Sequence, residues 1–102
     1  MLELRPNCEL CDKDLPPGSA EARICTYECT FCSSCVVSIL ENVCPNCGGG
    51  FEKRPIRPAI ARRAGTSLVH QPASAVRIHS EYTREQITNF STEVKQIKPE
   101  NR

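Results

Sequence analysis

Apolar residues fall at helical spacing in two stretches of this chain. Val36, Ile39, Leu40 and Val43 stand at i, i+3, i+4 and i+7, which puts four apolar side chains on one face of a two-turn helix after Cys35. Ile87, Phe90, Val94 and Ile97 repeat at similar spacing. Thr83 and Gln86 form a capping-box pattern ahead of them and Lys98-Pro99 stops the run, so an amphipathic helix is expected within residues 83–98. A short strand is expected over Ala22 to Tyr27, and Leu15-Pro16-Pro17-Gly18-Ser19 reads as a loop. Gly48-Gly49-Gly50 marks the end of a module onto which Phe51 packs back. Residues 64–82 alternate small, polar and isolated apolar side chains without a period, the pattern of a mobile linker.

Composition divides the chain further. With 102 residues, 5% aromatics and no Trp, there is room for one domain and little apolar area to hold it together. All eight cysteines lie between Cys8 and Cys47. A module of that size needs metal, disulfides or a partner to offset its chain entropy. The expected organisation is a cysteine-built module over residues 1–52, a basic arm and flexible linker over 53–82, and the helix over 83–98.

The choice between disulfides and metal turns on compartment. The N-terminus, Met1-Leu2-Glu3-Leu4-Arg5-Pro6-Asn7, lacks the basic and apolar regions of a secretory signal. The longest apolar run, Val36 to Leu40, is far short of a membrane span, so a cytoplasmic protein without membrane contact is expected. In a reducing compartment, clustered thiols serve as metal ligands more often than as bridges.

The spacing is Cys8-x2-Cys11-x13-Cys25-x3-Cys29-x2-Cys32-x2-Cys35-x8-Cys44-x2-Cys47, eight soft ligands in four close pairs and enough for two tetrahedra. Four thiolates on each of two Zn2+ ions leave no position for water or substrate, so the zinc is expected to be structural and the protein non-enzymatic, with no catalytic residue. An iron–sulfur reading draws on Cys29, Cys32, Cys35 and the Cys44-Pro45 step, but eight residues intervene where ferredoxin-type runs have three. No βαβ pattern surrounds any pair, which argues against a redox CxxC. His70 and His79 stand outside the completed cysteine set and read as solvated, as do Asp12 and Asp14 beside Cys11. Gly48-Gly49-Gly50 lacks the Lys-Ser/Thr of a phosphate loop. Spacing leaves open whether the two ligand sets are sequential or interleaved.

Charge is split. Residues 1–50 carry three bases against seven acids, −4, and residues 51–102 carry ten bases against five acids, +5. Thiolates around two zinc ions would deepen the contrast. Lys53, Arg54, Arg57, Arg62 and Arg63 form a basic arm with Pro55 and Pro58 favouring extended backbone, a candidate phosphate-binding segment. Aromatic interleaving is missing, since only Phe51 lies nearby.

The order of eight ligands resembles the RING cross-brace. Glu28-Cys29-Thr30-Phe31-Cys32-Ser33-Ser34-Cys35 is similar to the RING segment with Phe before a CxxC, Cys29 standing where that family commonly has His, and Leu10 and Pro45 within the first and last pairs match RING habits. That resemblance implies a small zinc-stabilised α+β fold, RING-like or treble-clef, with Cys8, Cys11, Cys32 and Cys35 on one ion and Cys25, Cys29, Cys44 and Cys47 on the other. The chain also resembles the bacterial domain-of-unknown-function family 1272. The likeness runs from Met1-Leu2-Glu3-Leu4-Arg5-Pro6-Asn7-Cys8 through Cys44-Pro45-Asn46-Cys47-Gly48-Gly49 into Arg54-Pro55, about half the chain. That family has no established activity.

The leading expectation is a non-enzymatic adaptor that binds another protein, with the terminal helix adding a second contact. One alternative is nucleic-acid binding through residues 53–63. Another, implied by the RING resemblance, is ubiquitin-ligase-like activity with Leu10, the face from Val36 to Leu40 and Pro45 docking a conjugating enzyme. Gly48 at the place of the usual cationic linchpin, and the lack of Trp, count against it. Partner identity and oligomeric state are not legible.

Overall fold

The computed structural model describes all 102 residues. Its sheet has three short antiparallel strands in the order β2-β1-β3: β1 is Ala22–Ile24, β2 is Thr30–Cys32 and β3 is Glu52–Lys53. Arg23 pairs with Phe31 on one side and Lys53 on the other. β1 stops at Ile24, short of the expected Tyr27. The chain turns there, with Cys25 N–H donating to Cys29 C=O, Glu28 N–H donating to Cys25 C=O and Glu28 left-handed at φ 68°. The hairpin turn therefore carries Cys25 and Cys29, and Cys32 closes β2.

The helix expected from Val36 to Val43 is wound differently. A single α turn, α1, covers Ser33–Cys35 and passes into a π-helical turn over Val36–Leu40. Glu41 and Asn42 follow at φ 48° and 61°, and the N–H groups of both return to Val36 C=O. Wider winding and two left-handed residues reverse the chain within the eight residues separating Cys35 from Cys44. Val36, Leu40 and Val43 are still buried, as their spacing implied. Phe51 does pack back, its ring meeting Phe31 edge to face at 5.4 Å between centroids. The main core contains 13 buried residues and six of them are cysteines, so nearly half the interior is thiol.

The basic arm is corrected at two positions. Arg54 is only 1% exposed, continues the sheet by donating its N–H to Ala22 C=O, and spreads its guanidinium over the carbonyls of Arg5, Leu15 and Pro16 at 2.8–3.1 Å. Pro16 and Pro17 have no N–H to complete a ladder in that loop, and a planar fork of donors takes over the task. Arg57 donates to Leu2 C=O and Gln71 C=O. Lys53, Arg62 and Arg63 remain exposed.

Residues 74–80, within the segment read as a linker, lie extended along the first knuckle. Ser74 N–H donates to Leu4 C=O and Ser80 N–H to Glu9 C=O, while Arg77 pairs with Asp12 and Asp14. The terminal helix α2 spans Arg84–Val94, with Thr83 and Gln86 completing the capping box. It folds back on its own module. Ile87 is buried in the core, Ser91 Oγ donates to Leu40 C=O at 2.9 Å, and Lys95 pairs with Glu41. The seated line is thus Ile87 and Ser91, with Val94 half-buried. Ile97 lies past the helix end and is 42% exposed, so the expected four-residue apolar stripe is divided.

Candidate metal centre

Each cysteine pair is held by its own backbone turn. Asp12 N–H donates to Cys8 C=O at 2.9 Å and Gly48 N–H to Cys44 C=O at 2.7 Å. In both knuckles the residue after the second cysteine is left-handed, Asp12 at φ 65° and Gly48 at φ 80°. Free amides point at sulfur: Tyr27 N–H to Cys25, Cys35 N–H to Cys32 and Gly49 N–H to Cys47, at 3.3–3.5 Å. Such donors stabilise thiolate and orient it for a metal.

The sulfurs of Cys8, Cys11, Cys32 and Cys35 all lie within 4.8 Å of one another, and those of Cys25, Cys44 and Cys47 form a second such set. Cys29 joins the second set through thiol contacts with Cys44 and Cys25, without meeting that spacing to all three. Pairs one and three therefore share a cluster, as do pairs two and four. The interleaved grouping follows from the fold, because β2 delivers Cys32 and Cys35 to the first knuckle while the β1–β2 turn and the reversal after Leu40 bring Cys25 and Cys29 to the last one. Neither cluster contains a histidine. His70 bonds Ser67 and His79 bonds Asp12.

The donor sets fit zinc. Sulfurs about 2.3 Å from one Zn2+ stand about 3.8 Å apart at the corners of a tetrahedron. Cys11 Sγ and Cys32 Sγ, from different knuckles, are 3.7 Å apart, against about 2.05 Å for a disulfide. All eight thiols are free.

Ionisation points the same way. Thiol hydrogen bonding, chiefly from Cys44, pulls Cys29 down to about 5, and the same contact pushes Cys44 up. Burial raises Cys25 to about 11 and raises Cys35 further. One thiolate can form in the second cluster, and like-charge repulsion and burial then oppose the next. A divalent cation would remove that opposition, so each cluster could become a full thiolate set with a metal bound.

Asn7 and Glu9, to which the sequence assigns no role, and Arg54, which it places in the basic arm, brace the first knuckle. Glu9 is 3% exposed, accepts from Arg5 at 2.9 Å and from Thr30 N–H, and burial raises its pKa despite these partners. Asn7 is fully buried and spans from Cys8 C=O to Ile78. Local sequence offers one signal only, the Pro-Pro loop whose carbonyls call for donors.

Residues 1–57 match the family model described as "Protein of unknown function (DUF1272)". An uncharacterized protein of Rhizobium meliloti (strain 1021) is 54% identical over 78 residues, 76% of this chain and 86% of that relative. The aligned length exceeds the family match, so the similarity runs into the tail. No solved structure matches the chain.

Proposed function

The chain belongs to the DUF1272 family, and from that premise we propose that it is a non-enzymatic adaptor, built on two structural zinc ions in a RING-like cross-brace, that binds another protein. The observation carrying the metal part is the 3.7 Å contact between Cys11 and Cys32, thiols of different knuckles at tetrahedral spacing. Cys8, Cys11, Cys32 and Cys35 would hold one ion, and Cys25, Cys29, Cys44 and Cys47 the other. Bound there, zinc supplies cross-links between loops. With four protein sulfurs per ion there is no open position for substrate, which favours a surface over a chemistry.

The competing readings lose ground on particular residues. Nucleic-acid binding through residues 53–63 would need the arm's guanidinium groups free, but Arg54 and Arg57 are engaged with backbone carbonyls. A ligase-like reading would need the face around Leu40 and Pro45 open. Instead Ser91 bonds Leu40, and Ile87 and Phe90 share a groove with Pro45.

Elemental analysis should give two zinc ions per chain, and iron with visible absorption would overturn the metal assignment. For the adaptor role, the intact protein is captured from its own cell with nuclease treatment, and titrated with duplex and single-stranded nucleic acid at physiological salt. A protein retained through nuclease supports the reading. Tight nucleic-acid binding abolished by K53A/R62A/R63A overturns it.

A further inference from the structure

Residues 74–80 are held in a way that describes what else their seat would accept. The buried Asn7 side chain accepts from Ile78 N–H at 3.2 Å and donates to Ile78 C=O at 2.8 Å, pairing both backbone groups of one residue as a neighbouring strand would. Leu4 C=O and Glu9 C=O take the N–H groups of Ser74 and Ser80. These contacts read extended backbone and no particular side chain. Side-chain selection comes from Asp12 and Asp14, which take the Arg77 guanidinium through Nε, Nη1 and Nη2 at 2.8–3.0 Å, with His79 also on Asp12.

The segment is loosely retained. None of residues 73–81 is buried, and Val76 is 65% exposed. Its hold is a few hydrogen bonds and exposed ion pairs, each weak in water. The tail has deeper anchors on either side, Arg54 before the segment and Ile87 and Ser91 after it. Residues 74–80 can therefore lift away while the rest of the tail stays seated.

We propose that the edge formed by Leu4, Asn7, Glu9, Asp12 and Asp14 is a recognition groove for an extended, arginine-bearing polypeptide segment, occupied in cis by residues 74–80 and exchanged for the matching segment of a protein partner. This rests on the adaptor reading and names the chemistry of its partner. The guest needs a non-proline residue at the Ile78 register, since Asn7 requires its N–H, and an arginine immediately before it. The acid pair on the groove and the base on the guest supply the charge complementarity.

The test uses zinc-loaded full-length protein and a fluorescent peptide of residues 73–81. R77A removes the acid contact of the cis segment, and I78P removes its N–H to Asn7. Amide exchange across residues 74–80 should accelerate in both variants while Ile87 stays protected. The peptide should bind R77A saturably, on the order of tenfold tighter than it binds wild type, and weaken on the order of tenfold when its own arginine is replaced by alanine or the protein carries D12N/D14N with zinc content unchanged. Segment amides that stay protected in both variants overturn the proposal. So does a freed groove that ignores the peptide at millimolar concentration, or one that binds equally without the arginine. A cellular protein captured equally by wild type and D12N/D14N overturns the groove while leaving the adaptor reading standing. Loss of all protein capture with peptide binding intact separates the two the other way.

Discussion

Gly48 and Asp12 occupy the same place in their knuckles, yet they solve the left-handed turn differently. Asp adopts that conformation at some cost, and Gly does so freely. A Cβ on Gly48 would meet Phe90 at 3.5 Å, ordinary contact, so the penalty of Gly48→Ala is backbone strain of about 1 kcal/mol. Denaturation of the zinc-loaded protein should show that loss, with Gly18→Ala, which meets open space, as the near-neutral control. Arg54 is the other residue whose role is decided by its surroundings. R54K cannot span the three carbonyls as the fork does and should lose about 2 kcal/mol, because a point charge replaces a fork and the buried Leu15 C=O loses its donor. A variant as stable as wild type would show that the fork is dispensable. Among the ligands, Cys8→Ser and Cys35→Ser should weaken the same ion and Cys25→Ser the other. Cobalt substitution reads this directly, each variant disturbing thiolate absorption at half the metal complement.

At the scale of elements, α2 depends on its cap and on one buried apolar contact. Removing the Thr83 hydroxyl deletes one half of a capping box, worth about 1 kcal/mol. Ile87→Ala should cost about 2–4 kcal/mol, since that side chain is 2% exposed against the module. Both should accelerate amide exchange in α2 with little change at β1 and β2. Equal acceleration throughout would mean that helix and module unfold as one unit. The π-helical turn shows how far pattern reasoning reached. Four apolar residues at helical spacing located the buried face of Val36–Val43 correctly, but a π turn and two left-handed residues replaced regular winding. Periodicity reports which side chains are buried, whereas the winding is set by where Cys44 has to arrive.

On the scale of the whole molecule, the proposed two-zinc reading makes metal and fold one equilibrium. With only 23 of 102 residues buried and cysteines making up nearly half the main core, stripping zinc should unfold the module, structural zinc being worth on the order of 10–16 kcal/mol in comparable peptides. Far-UV dichroism should collapse with chelator and return with stoichiometric zinc, and a fold that survives complete removal would contradict this. Acid should act through the same route. Protons compete with zinc for every sulfur, so affinity falls as pH falls. Asp12 titrates later. The Arg77 hydrogen bond, then His79, holds its carboxyl below the ordinary range, so its contribution is present above the unfolded value and fades only as pH drops through the lowered folded one. Zinc release and loss of structure should coincide at a pH above about 4, the ordinary carboxylate value, and release that instead follows Asp12 would assign the acid transition to the segment at 74–80.

The sequence by itself determined the candidate ligand thiols and their pairing into knuckles, the cap and start of α2, and the burial of Val36, Leu40 and Val43, because each of these depends on residues within a few positions of one another. Only the tertiary structure decided which pairs share a cluster, that Arg54 and Arg57 turn inward, and that α2 covers its own module. Those outcomes depend on groups tens of residues apart. A thiol pair is equally able to join either neighbour, and an arginine written into a basic run has the same local pattern whether it meets water or three backbone carbonyls.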